Sequence, residues 1–451
     1  MFDKPISRKG FLSGTAAVVA GLGLAACSGE SGDDSSKSSA GKTYGSGKNG
    51  TVYWLNFKPE IDETIQKLGK KYAKAKDVKV KIVTAASGDY QKTLTSEMDK
   101  SEAPTIFVIG NHAGVKEWND YALDLKDTDI AKAQTTDEYN QYDDNGKLVS
   151  VGYCYECYGI VANVDNITKA GHSVDEIKDF DTLKAVVEDI HKNAKANGFD
   201  AFAAADMDDS SSWRITGHLA NLEFFYEEHK GDGASKDKWE ETPATIEGTY
   251  LPNFKNLYDL IINNSLTAPD QLATGGHDPA QQFKDGKATF YLTGSWDYAD
   301  ITKSVKNTTM LPYYCGVKGE EKAGLNNGTE NCWAINKNAS KKDQKASMDF
   351  LMWLVSDPDA SKALVEQLGI MPFKDAAEST NGWLKRSAEY TDAGNYVMDW
   401  ATNFEPNVET YRAGLVSALN DYNSKQNDEN WDKFKTAFVD GWATQYKKAN
   451  A

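Results

Sequence analysis

Six histidines and five cysteines are scattered through 451 residues, and neither Gly-x-Ser-x-Gly nor His-Glu-x-x-His occurs. The familiar patterns of nucleophilic and metal-assisted hydrolysis are therefore missing from the chain. Sixty-seven acids still leave room for a carboxylate pair, because spacing along a chain says nothing about spacing across a cleft. More telling are aromatic residues set beside polar ones. Phe57 stands in the polar turn Asn56-Phe57-Lys58-Pro59-Glu60, Asn111 and His112 follow an apolar run, and Trp213 follows Asp209-Ser210-Ser211-Ser212. Trp296 and Asp297 come just after Gly294. Flat aromatic faces stack on the C–H faces of pyranose rings, while amides and carboxylates pair with hydroxyls. Each residue also has a plain structural reading: a core or packed tryptophan, a helix-capping Asp297, a structural histidine that leaves Asn111 the better candidate.

The elements that must position these residues follow from periodicity. Thr51–Leu55 is β-branched and aromatic, and Ile61, Ile65, Leu68 and Tyr72 recur at helical spacing. Residues 78–83 alternate as a strand, Tyr90–Met98 is an amphipathic helix, and Thr105–Ile109 is an apolar run suited to a parallel sheet. Strand, helix, strand, helix, strand is an α/β wound pattern. Ligands bind such sheets at the carboxyl ends of strands, here residues 56–60, 87–90 and 110–114. Helices are expected over 181–195, 212–229, 253–264, 345–356, 394–402 and 406–422, with a closing helix carrying Trp431, Phe434, Phe438 and Trp442. Polar loops fall at 230–245 and 271–279, and no internal repeat is evident.

The formal charge of −17 disfavours nucleic acid and anionic lipid as partners. Arg8 and Lys9 precede an apolar run over 11–26, too short for a stable membrane span, which closes with Leu24-Ala25-Ala26-Cys27. That ending resembles a bacterial lipobox, in which Cys27 carries the lipid. The segment around Ser7-Arg8-Lys9 resembles a twin-arginine signal with lysine in second place, so the export route stays open. Residues 27–49 are mostly Ser, Gly, Asp and Lys and are expected to form a flexible tether. Cys154, Cys157, Cys315 and Cys332 allow two disulfides or four free thiols. No metal site and no cofactor are expected, since Asp206-x-Asp208-Asp209 lacks the glycine and distal glutamate of a calcium loop.

Several stretches, in order, resemble the carbohydrate-binding, maltose-binding-protein-like solute-binding proteins of ABC importers. Tyr90-x-x-x-Leu94-x-x-Glu97-Met98 followed by Ala103-Pro104-Thr105-Ile106-Phe107 resembles the family's second helix and third strand. Glu156 to Asp165 resembles its crossover into the second lobe, although Ala162 and Val164 depart from the usual tyrosine and lysine. Phe283-x-x-Gly286-Lys287-Ala288 through Gly294-x-Trp296 is the sharpest match. Gly328 to Asn336 is similar to the returning hinge strand, and Leu368-Gly369-Ile370-Met371-Pro372 to the family's ending.

The resemblance implies a two-lobed, type II periplasmic-binding-protein-like α/β clamp. A signal peptide would span 1–26. The first lobe would hold 50–154 and 330–376, the second 155–329 and 377–451. It implies a non-enzymatic, monomeric protein that captures an oligosaccharide and delivers it to ABC permease subunits, lipid-anchored at the extracytoplasmic face of the cell membrane. The alternative is an exported carbohydrate-active hydrolase. By the same resemblance Lys58, Glu60, Glu156 and Glu330 join Phe57, Asn111, His112, Trp213, Trp296 and Asp297 as ligand-binding candidates. Lys58 and Glu60 are equally readable as surface charges. Tyr153, Tyr158 and Phe404 are less distinct candidates.

Overall fold

The computed structural model describes residues 39–85, 89–208 and 210–451. Cys27 and its surroundings, the tether as far as residue 38, Ser87 and Asp209 lie outside the described residues. Two sheets organise the rest. The first runs in the order β1 (Ser39–Tyr44), β3 (Lys79–Thr84), β2 (Thr51–Asn56), β4 (Ile106–Val108), β12 (Cys332–Ile335), β6 (Leu148–Gly152) and β5 (Gln141–Tyr142). The second runs β13 (Tyr396–Asp399), β11 (Ala323–Gly328), β7 (Glu156–Asn163), β9 (Ala288–Gly294) and β8 (Asp200–Ala203). A further strand, β10 (Thr308–Leu311), pairs antiparallel along the far half of β7.

The parallel core of the first sheet follows the expected winding. β2 pairs in parallel with β3 and β4, and the helix Asp62–Lys76 between β2 and β3 buries Ile65, Leu68 and Tyr72. Trp54 meets Trp333 and Phe350 edge-on at 6.0 and 6.3 Å in that core. The second core is built around Phe224, which lies 4.9 Å from Phe438 and 5.1 Å from Trp442. The C-terminal helices Val408–Ser424 and Asp428–Ala449 pack into this second core.

Three stretches cross between the sheets side by side. Tyr153–Tyr155 joins β6 to β7, residues 329–331 join β11 to β12, and residues 378–381 lead from the first core to the helix Gly382–Asp392, while Ile370 bridges Tyr155. Tyr153 N–H donates to the Asn331 carbonyl at 2.9 Å, tying two of the crossings together. Two α/β lobes on a narrow hinge make the expected clamp.

Three local expectations differ from the structure. Ser39–Tyr44, assigned by composition to the tether, pairs antiparallel with β3 as an edge strand, since backbone pairing needs no apolar side chains. Residues 396–399 are a strand rather than part of a helix, because they pair in parallel with β11. Gly394, at φ 84°, ends the preceding helix Gly382–Asp392. The expected helix 212–229 is a π-helical turn, Arg214–Leu219, followed by the α-helix Asn221–Glu228. Cys154, Cys157, Cys315 and Cys332 are all buried free thiols. Among the described residues, no helix is long and apolar enough to cross a membrane.

Candidate ligand-binding cleft

Beside the crossings, the loop after β2 reaches the second lobe. Asn56 is buried and pins this loop: its amide donates to the Lys58 carbonyl at 2.6 Å and to Thr84 Oγ1 at 3.0 Å. Lys58, only 7% exposed, points its ammonium at Glu156 Oε1 (2.7 Å) and Glu60 Oε1 (2.9 Å). Glu156 stands at the start of β7 and also accepts from Asn331 Nδ2 at 2.9 Å. Burial alone would drive the Lys58 pKa down, but Glu156 and then Glu60 outweigh it and hold the ammonium protonated. The same Nζ lies 5.3 Å from the ring centroid of Trp296. Lys58, Glu60, Glu156 and Trp296, drawn from three separate stretches of chain, thus share one locus.

Trp296 sits in the short turn Ser295–Asp297 that follows β9. A Cβ on Gly294 would fall 2.2 Å from its ring, so glycine there is what lets the indole fold back. Asp297 is half-buried, accepts Thr293 Oγ1–H at 2.5 Å, and lies 3.9 Å from the Arg214 guanidinium; it makes no cap to the helix Tyr298–Ser304. Trp213 lies 6.0 Å from Trp296, and Arg214 covers a Trp213 face at 4.1 Å. The π-helical turn that follows, a geometry common at functional sites, carries His218 between these rings. His218 is 4.9 Å from Trp213, 5.2 Å from Trp296 and stacked on Tyr158 at 4.1 Å. Trp400 closes the nest at 5.2 Å from Tyr158.

Polar atoms around this nest are left over. His218 Nδ1, Tyr158 Oη, Arg214 Nε, Trp400 Nε1, Asn403 Oδ1 and Glu405 Oε1 are buried without a hydrogen-bond partner among the described residues. Such groups are costly to bury unpaired, and a cluster of them marks a place built for something else to complete. Burial, then Arg412, Arg214 and Lys58, push the His218 pKa well below its ordinary value, so the ring is neutral. Glu405, fully buried, accepts from Arg412 Nε at 2.6 Å, and Arg412 also lies 3.8 Å from Glu330 on the return crossing. Burial pushes Glu405 up to about 8 against the pull of Arg412.

The remaining candidates divide. His112 faces Phe404 across the lobes at 5.7 Å, its Nε2 buried and unpartnered. Asn111 accepts from Gly114 N–H at 2.7 Å and caps the helix His112–Trp118, so its side chain is already engaged. Phe57 packs edge-on against Tyr90 at 5.4 Å, and Tyr153 stacks on Trp333 at 4.2 Å inside the first core. Sequence reasoning missed Arg214, His218, Trp400, Glu405 and Arg412. Arg214 and His218 follow Trp213, a residue already singled out, by one and five positions, whereas Trp400 was hidden by the helix reading of 394–402.

No curated protein sequence matches the chain. Solved structures do, at identities that show the fold alone. The solute-binding protein RafE in complex with raffinose superposes with a TM-score of 0.65 at 17% identity, over 89% of this chain and 100% of that one. The GacH receptor of Streptomyces glaucescens, solved unliganded and with acarbose, gives 0.63 at 18%, over 88% and 98%. A sugar transporter protein of Bacillus licheniformis in complex with stachyose gives 0.61 at 18%, over 88% and 99%. These neighbours are binding proteins with the same two-lobed clamp. Residues 67–394 match the family model for bacterial extracellular solute-binding proteins, and the chain belongs to that family.

Proposed function

We propose that this protein is the substrate-binding component of an ABC importer, which captures an oligosaccharide between its lobes and delivers it to membrane permease subunits. One observation carries the reading: an aromatic nest of Trp213, Trp296, Trp400 and Tyr158 is edged by buried, unpartnered donors and acceptors of both kinds. Aromatic faces take the C–H side of a sugar ring, and the orphaned groups take its hydroxyls. Structural neighbours holding raffinose, stachyose and acarbose support the same solute class.

In this account the first lobe (50–154 with 330–376) and the second (155–329 with 377–451) close as rigid bodies about the three crossings, and the permease recognises the closed form. Lys58, Glu60, Glu156, Trp213, Trp296, Asp297 and Glu330 line the closed site, joined by Arg214, His218 and Arg412. Phe57, Asn111 and His112 stand at its first-lobe edge. The protein acts as a monomer held at the extracytoplasmic face by lipid on Cys27, and it returns the glycan uncleaved. Calorimetric titration against raffinose-type, starch-derived and chitin-derived oligosaccharides, with each glycan analysed afterwards, tests the reading. Saturable one-to-one binding of an intact glycan is the expected result; cleavage, or silence across all three classes, overturns it. Release of a Cys27→Ser protein from the membrane fraction tests the anchor.

A further inference from the structure

A second group of ligand-type side chains gathers where the helix Asn221–Glu228 ends against β13. One nitrogen of His229 and one oxygen each of Glu228 and Asp399 all lie within 4.8 Å of one another. Glu228 is 4% exposed and His229 3%. Glu228 Oε1 accepts Trp239 N–H at 2.6 Å, but Oε2 is buried and has no hydrogen-bond partner. Asp399 Oδ1 is likewise buried and unpartnered, while its other oxygen is paired with Lys238. The Lys238 ammonium offsets the partly exposed Asp399, whereas Glu228, the more buried of the two acids, keeps an oxygen with no hydrogen-bond partner, a costly arrangement that a second cation would relieve. His229 Nδ1 lies 3.6 Å from Glu228 Oε2 and 2.9 Å from the Phe225 carbonyl oxygen. Nδ1–H donates to that carbonyl, which fixes the ring and leaves the Nε2 lone pair available to a metal.

We propose that Glu228, His229 and Asp399 form a binding site for a divalent ion of the zinc type, distinct from the aromatic nest. One imidazole nitrogen with two carboxylate oxygens is a three-ligand zinc set that leaves a fourth position open. Calcium fits poorly, since it takes six or more oxygens. The donors must draw together by about 1 Å to reach zinc-bonding distances, which the half-exposed Lys238 allows by swinging off Asp399. Glu228 borders a cavity of about 420 Å³ that opens to solvent and is lined also by Lys230, Lys236, Lys238 and Trp239. Asp399 immediately precedes Trp400, so a metal here would also steady one wall of the nest.

The test is titration of the full, untagged chain with zinc chloride alone, followed by calorimetry and tryptophan fluorescence. One zinc per chain is expected, bound more tightly as pH rises from about 6 to about 8, because the ligands must shed protons. Glu228→Gln and Asp399→Asn, each checked for an unchanged circular dichroism spectrum, are expected to weaken it by more than about 10-fold. Absence of one-to-one binding overturns the site. Unchanged affinity in both variants, or tighter binding of calcium than of zinc, overturns it equally.

Discussion

Replacing Glu156 by glutamine keeps the shape of the side chain and one acceptor for Asn331, but removes the charge nearest Lys58. Breaking a fully buried ion pair from one side costs about 3–5 kcal/mol, because the other charge stays buried. Here Glu60 remains 2.9 Å from the ammonium and its side chain is 29% exposed, so it retains roughly half the compensation. The expected cost of Glu156→Gln is therefore about 2 kcal/mol. Lys58→Met leaves Glu156 with Asn331 alone and is expected to cost about 3 kcal/mol. The double variant buries neither charge and should cost only about 1–2 kcal/mol, a coupling of about 3 kcal/mol. Urea unfolding, followed by tryptophan fluorescence and far-ultraviolet circular dichroism, measures all four corners of the cycle, and coincident transitions license the comparison. Single costs that add to the double within about 0.5 kcal/mol would show that Lys58 and Glu156 do not hold each other, and the reasoning would fall.

Other consequences are as direct. Gly294→Ala places a methyl 2.2 Å from the Trp296 ring, so about 1–3 kcal/mol of stability and at least about 10-fold in glycan affinity should be lost, read by thermal melting and calorimetry. His218 is neutral in the folded protein and its pKa lies well below 6.5, so the unfolded chain takes up a proton that the folded chain refuses. Stability should accordingly fall as pH drops below about 6.5, by up to about 1.4 kcal/mol per pH unit; denaturant titrations of His218→Asn over the same range should show a shallower slope than the parent.

The sheets were largely legible because their signals are local. Alternation in residues 79–84 and the apolar run before Gly110 declare strands, and Ile65, Leu68 and Tyr72 declare a helix face. Where pairing partners decide the outcome, local pattern fails. Tyr396–Asp399 is too short to show a period, and only its parallel neighbour β11 makes it a strand. Ser39–Tyr44 is ordered by backbone bonds to β3, with Tyr44 packing against the first core at its end. The site was legible in part: Trp296 stands out by its place after Gly294, but Lys58 and Glu156 are 98 residues apart and nothing in their spacing announces the pair. Arg412 and Glu405 come from the C-terminal region beyond the matched motifs. Asp399 is carried to Glu228 and His229 only by the sheet, so no motif marks that cluster.

The most direct test of the central claim is calorimetric titration of the oligosaccharide that binds the parent protein into Trp296→Ala, with Trp333→Phe as a core control. Loss of a stacking platform at the centre of the site should weaken binding at least about 30-fold, while the control binds as the parent does. Equal affinity in Trp296→Ala and the parent would contradict the account, because the solute would then be held somewhere other than the aromatic nest.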